Sequence, residues 1–203
     1  MTVVALVPVT GRTGQFGDIA RILLLEPVLR NLDASGCIDL VALVTASSEV
    51  DEFAEAPIPA TVIEQNAFAT TNSMVARALN TISVSISELS AVLVHDLRHA
   101  FAPPGLISRV VDEVRSGAPA VVPVLPCTDT VKELDGSGVI IDTPDRSTLR
   151  VAQSPIGFAA NLWRDRQQDA WRDLPPGART IPGHPAARAI RTAFDLAFAK
   201  DGS

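Results

Sequence analysis

The chain has 203 residues, 47% of them hydrophobic and 20% charged, which is the composition of one globular unit able to bury a large core. Aromatic residues make up 4% with no tyrosine, and the net charge is -6, so neither a stacking platform for single-stranded nucleic acid nor a basic surface for DNA or anionic lipid is expected. No apolar run reaches the roughly 18 residues that span a membrane.

In chain order, Val3–Val9 is a short β-branched run of the kind that forms a buried strand. The start reads directly as this strand and not as a targeting segment, and a cytoplasmic protein is expected. Thr10–Gly17 is a glycine-rich turn, and a helix follows from about Asp18, its expected N-cap, to Ala34. Such a turn after a first strand is where α/β folds bind phosphate, with Gly11 and Arg12 as candidates. It has neither GxxxxGK[ST] nor GxGxxG, so a plain strand-to-helix turn is the alternative. Asp39–Thr45 and Ala60–Glu64 read as strands, Ser47–Ala56 as a short helix and Phe68–Thr81 as a longer one carrying Ser73.

Ala91–Val94 is a further buried strand with His95 and Asp96 at its carboxyl end, the side on which open α/β sheets bind ligands. Asp96 there is either a hard oxygen ligand for Mg²⁺ or a cap for the next turn. Three histidines without CxxC or HExxH spacing argue against zinc, and Cys37 and Cys127 are expected to be reduced thiols.

Pro103-Pro104 opens a helix over Gly105–Ser116, with Pro104 near its first position. Ala120–Val124 is the next strand. A polar β excursion follows: Thr128–Lys132 enters, Asp135–Gly138 turns and Val139–Ile141 returns, forming an arm over 128–152. Thr130, Arg146 and Ser154 are donors suited to an oxygen-rich anion. Pro155–Asp173 is expected to be helix, Arg179–Pro182 a short strand and Ala186–Lys200 a closing helix. The alternation predicts an α/β fold in a single domain, 1–203: a mainly parallel sheet with helices on both faces and a projecting β-arm.

The segments Val94-His95-Asp96, Pro103-Pro104, Ala120–Val124, Thr128–Lys132, Asp145–Arg150 and Gln153–Phe158 together resemble the 2-C-methyl-D-erythritol 4-phosphate cytidylyltransferases of the non-mevalonate isoprenoid route. The resemblance implies a Rossmann-like nucleotidyltransferase fold and a homodimer joined through the arm. It implies attack of methylerythritol phosphate on the α-phosphate of CTP, with Mg²⁺ as cofactor. On this chain it implies Asp96 and Arg146 as catalytic residues and Asp96 as the metal ligand. Thr130, Arg146 and Ser154 are implied to grip the acceptor, Arg146 reaching the partner subunit's site. Gly11, Arg12, Ser73 and Asp96 are implied to hold the nucleotide.

The chain departs from the family pattern on the nucleotide side. The first loop lacks the family's lysine, and Gln15 falls about where its arginine stands. Asn66–Asn72 replaces a glycine- and arginine-bearing run before Ser73. Leu97 and His99 take the places of a small alanine and an arginine, with Arg98 one position early, and Ala189 aligns with a second lysine. Two readings follow: a divergent cytidylyltransferase whose charge neutralisation has moved to Arg12, Arg98, Arg188 or Arg191, or an inert homologue that keeps the fold and arm for binding or dimerisation.

Overall fold

A computed structural model describes residues 1–9, 17–46, 61–65, 71–164 and 173–201. β1 (Thr2–Pro8) lies at the centre of the sheet, and its residues from Val3 to Pro8 are all buried. Its side chains alternate between two cores, as the two-residue period of a strand requires. Val3, Ala5 and Val7 face one core with Leu25, Leu29 and Leu32 of α1 (Gly17–Ala34) and Ile107, Val110 and Val111 of α3 (Pro104–Arg115). Val4 and Leu6 face the other core with Val75, Ala78 and Leu79 of α2 (Thr71–Ser85). Apolar cover on both sides explains why the strand reads as an unbroken hydrophobic run.

The remaining strands are β2 (Leu40–Ala46), β3 (Thr61–Gln65), β4 (Leu89–Val94), β5 (Ala120–Pro126), β8 (Arg150–Ala152), β9 (Ile156–Ala159) and β10 (Arg179–Pro182). Their order is β10-β5-β9-β4-β1-β2-β3, with β8 also paired to β5. β1 is parallel to both β2 and β4, β2 to β3, and β5 to β10. β9 runs antiparallel between β4 and β5, so the sheet is mixed but mostly parallel. This is the α/β, Rossmann-like architecture expected, with helices on both faces. No described helix is long and apolar enough to cross a membrane.

The arm forms its own two-stranded ladder, β6 (Glu133–Leu134) against β7 (Ile140–Asp142). Its turn is built by Asp135, whose Oδ1 accepts from the N–H groups of Ser137 and Val139 and from the Ser137 hydroxyl. Gly138 closes the turn at φ +85°, a conformation that favours glycine.

Several expectations need correction. Pro155–Asp173 is not one helix: Ile156–Ala159 is the interior strand β9, and helix α4 (Asn161–Arg164) starts only after it. Gly157 shows why strand wins. A Cβ there would lie 2.6 Å from Val110 Cγ1 and 2.9 Å from Val114 Cγ2, so only glycine lets α3 lie this close to β9. Ala186–Lys200 is not one helix either. Pro185–Ala187 is a 3₁₀ turn, and helix α5 (Ala193–Asp201) begins at a capping box. Thr192 Oγ1 accepts from Asp195 N–H, and Asp195 Oδ2 accepts from Thr192 N–H. The second helix runs on to Ser85 rather than stopping at Thr81, and α1 starts at Gly17, placing Asp18 inside it. The helix expected over Ser47–Ala56 lies outside the described residues.

Candidate active site

The chain leaves β1 toward β2 and β3 on one side, then returns to place β4 on the other. The carboxyl ends of β1 and β4 therefore flank a topological switch point, where open α/β sheets form their ligand crevice. His95 N–H donates to Leu6 O at 2.8 Å and extends the β4–β1 pairing beyond the end of β4. Asp96 is the next residue, in extended conformation, and caps the 3₁₀ turn Leu97–His99.

The Asp96 carboxylate is gripped on both oxygens by Arg98. Arg98 N–H donates to Oδ1 at 3.0 Å, Nε to Oδ1 at 3.1 Å and Oδ2 at 3.2 Å, and Nη2 to Oδ2 at 2.6 Å. Burial opposes ionisation of Asp96, but the hydrogen bonds and charge of Arg98 outweigh it and hold the carboxyl down to about 2. Asp96 is thus an anion at any physiological pH.

Ser154 joins the arm's return to this point. Its hydroxyl accepts from Asp96 N–H at 2.9 Å and donates to Val94 O at 3.2 Å. Beside it, the buried Gln153 pairs its amide with the backbone of His184: Nε2 donates to His184 O and Oε1 accepts from His184 N–H, both at 2.9 Å. A Cβ at Gly183 would run into Gln153 Oε1, so glycine is needed for this approach.

The C-terminal segment is drawn over the same end of the sheet. His99 Nδ1 donates to Ala187 O at 2.7 Å, and Ile190 N–H donates to Arg98 O at 2.7 Å. Ala189 is half-buried between the exposed Arg188 and the buried Ile190. His95 lies fully buried behind Asp96. Its Nδ1 donates to Asp96 O at 3.2 Å, and its Nε2 has no partner among the described residues. Burial, reinforced by the neighbouring His99, pushes its imidazole down to about 4, so it is neutral near pH 7.

The arm residues stand apart in the sequence of contacts. Arg146 is exposed and donates from Nη1 to Thr128 O at 2.9 Å. Asp145 caps the 3₁₀ turn that carries it, accepting from Ser147 N–H. Thr130 is exposed on the entering limb, and Ser73 is half-buried in the first turn of α2. Gly11 and Arg12 lie outside the described residues. The structure thus joins Asp96 to Ser154 directly, while Arg146 and Thr130 remain on the arm.

The sequence reading missed the Gln153–His184 clasp and the depth of the Arg98 grip. A buried glutamine has no motif, and residues two apart do not face one another in regular helix, so neither contact has a pattern signal. Among the described residues, no group of three His, Cys, Asp or Glu side chains is placed to hold a metal. Among the described residues, the Asp96 carboxylate is of the type that could serve Mg²⁺, which takes one or two carboxylates and completes its shell with water and substrate phosphates.

The sequence matches the family described as "IspD: 2-C-methyl-D-erythritol 4-phosphate cytidylyltransferase" over residues 9–200. A protein of that name from Saccharopolyspora erythraea is 37% identical over 220 aligned residues, covering 98% of each chain. One from Rhodococcus jostii is 35% identical, covering 98% of this chain and 93% of its own. The crystal structure of the Thermus thermophilus cytidylyltransferase is 25% identical with a TM-score of 0.69, covering 99% of this chain and 98% of that one. The 4-diphosphocytidyl-2C-methyl-D-erythritol synthase of Anaerococcus prevotii, 20% identical, shares the fold with a TM-score of 0.77 over 99% of this chain and 97% of its own. Sequence and fold agree along nearly the whole chain: it belongs to the 2-C-methyl-D-erythritol 4-phosphate cytidylyltransferase family.

Proposed function

We propose that this chain transfers CMP from CTP to 2-C-methyl-D-erythritol 4-phosphate. The observation that carries the reading is Asp96: an ionised carboxylate at the sheet's switch point, its backbone tied to the Ser154 hydroxyl at the root of the arm. An oxygen of the acceptor phosphate attacks the α-phosphorus of CTP, a new P–O bond forms, and the bond to the β-phosphate breaks to release pyrophosphate. The protein's contribution is placement and charge, since the reaction needs its two anionic partners held in line. A bound Mg²⁺ supplies neutralisation of the triphosphate, with Asp96 as the protein ligand.

In this reading residues 1–203 form a single nucleotidyltransferase domain with the arm as a subregion over 128–152, working in the cytoplasm. Two copies pair through the arm, and Arg146 with Thr130 grips the acceptor phosphate in the partner subunit's site. The exposed apolar residues Leu134, Val139, Ile140 and Ile141 support pairing, since an exposed run of this kind marks a contact surface. The roles of holding the nucleotide fall in this reading to Ser73, Gly11 and Arg12. Arg98, Arg188 and Arg191 supply the positive charge that lysines carry in the family pattern.

A second reading, an inert relative that retains fold and arm, draws on one observation. Where the family pattern has a lysine, this chain has the half-buried Ala189. Mixing two variants separates the readings. Arg146→Ala and Asp96→Ala homodimers are each expected to be inactive, and their mixture to regain turnover, because one of the two mixed sites keeps both residues. No recovery, from a wild type that turns over, rejects action of Arg146 across the dimer. Absence of turnover in the wild type itself favours the inert relative.

A further inference from the structure

We infer that Arg98 occupies the place on Asp96 that a divalent cation takes, and that arrival of the cation with its triphosphate releases the guanidinium to bind the phosphates. The inference rests on the reading of Asp96 as a metal ligand. Each Asp96 oxygen already accepts two N–H groups from Arg98, at distances between 2.6 and 3.2 Å. A hard cation bonds through those same lone pairs, so the side-chain grip must open before an inner-shell contact forms.

The geometry provides for opening. The Asp96 side chain is 17% exposed and that of Arg98 41%, so the guanidinium is the more accessible member of the pair. The rest of the turn is fixed independently. Asp96 N–H is held by Ser154, Arg98 O by Ile190 N–H, and the His99 ring by Ala187 O. The bond from the Arg98 backbone N–H to the Asp96 carboxylate Oδ1 does not use the guanidinium and is kept when the Arg98 side chain leaves. Among the described residues, the part that must move is the Arg98 side chain. A planar fork that pairs with both oxygens of a carboxylate matches a phosphate equally well. Replacing a single positive charge on Asp96 with a double one also repels the guanidinium toward the incoming anion.

The test measures Mn²⁺ binding, by the electron paramagnetic resonance of the free ion, to the full-length protein. Arg98→Met keeps the aliphatic stem and removes every side-chain donor. With Mn²⁺ alone it is expected to bind about tenfold more tightly than wild type, since a charge-assisted, part-exposed pair no longer competes. With Mn²⁺ and inorganic tripolyphosphate together, the same variant is expected to bind the complex more weakly than wild type. A merely structural role for Arg98 does not produce changes of opposite sign. Adding Asp96→Asn to Arg98→Met is expected to abolish the gain. Circular dichroism verifies the fold, with Arg98→Ala as the second variant. Unchanged or weaker Mn²⁺ affinity in both Arg98 variants, with Asp96→Asn still abolishing binding, overturns the exchange and leaves the metal reading intact. Mn²⁺ affinity indifferent to Asp96→Asn overturns the metal reading and the exchange with it.

Discussion

Ser154→Ala separates two roles for one hydroxyl. The family resemblance assigns Ser154 to the acceptor phosphate, yet the residue is 3% exposed and its hydroxyl is already bonded twice to the main chain. Removing it leaves the Asp96 N–H without the acceptor it has at 2.9 Å, and Val94 O without a donor at 3.2 Å. Stranding a buried donor costs about 1–3 kcal/mol, and the longer second bond adds little. For a domain of this size each kcal/mol lowers Tm by about 2–4 °C, so Ser154→Ala is expected to melt about 2–12 °C below wild type. Urea titration is expected to give a lower midpoint at unchanged slope, the signature of lost stability without a change in denatured-state compactness. Differential scanning calorimetry checks the first figure, and titration with methylerythritol phosphate runs alongside. A Tm within ~1 °C of wild type, together with lost ligand affinity, refutes the reasoning: the hydroxyl then serves the ligand and not the strand end.

Gly157→Ala forces a methyl against Val110 and Val114 and is expected to cost about 1–3 kcal/mol, with Val110→Ala in the same chain recovering part of it; equal stability of Gly157→Ala and wild type in urea contradicts the close packing of α3 on β9. His95 imposes an acid limit. Its folded value, about 4, lies below the ordinary 6.5, so its contribution is complete above pH 6.5 and is lost as pH falls toward 4. The Asp96 contribution is lost lower, between about 4 and about 2. Unfolding free energy is therefore expected to fall from pH 6.5 to 4 in wild type and to fall less in His95→Gln, and parallel profiles count against a buried neutral imidazole. Leu134→Lys with Ile140→Lys, at positions 55% and 57% exposed, is expected to convert a dimer into a monomer in light scattering at micromolar concentration; a monomeric wild type removes the arm as a dimer interface.

The parallel half of the fold was readable because buried parallel strands are short apolar runs, and Val3–Val9 and Ala91–Val94 have few other uses. Asp96 was readable for the same reason, since a carboxylate ending such a run sits at a strand's carboxyl end. Ile156–Ala159 was misread because four apolar residues do not separate strand from helix by period, and the deciding fact is a contact between Gly157 and a helix some 50 residues earlier. The late start of α5 was present in the sequence as Thr192-Ala193-Phe194-Asp195, a capping-box spacing that the apolar period of the neighbouring residues obscured. The Arg98 grip follows from the 3₁₀ turn and from Asp96 standing just outside it, a geometry that spacing alone does not specify.

The most direct measurement is pyrophosphate release by the purified protein given CTP, Mg²⁺ and 2-C-methyl-D-erythritol 4-phosphate. Release is expected to depend on both substrates and to be lost in Asp96→Ala. No release, with no CTP binding by calorimetry, contradicts this expectation and leaves a cytidylyltransferase fold without its reaction.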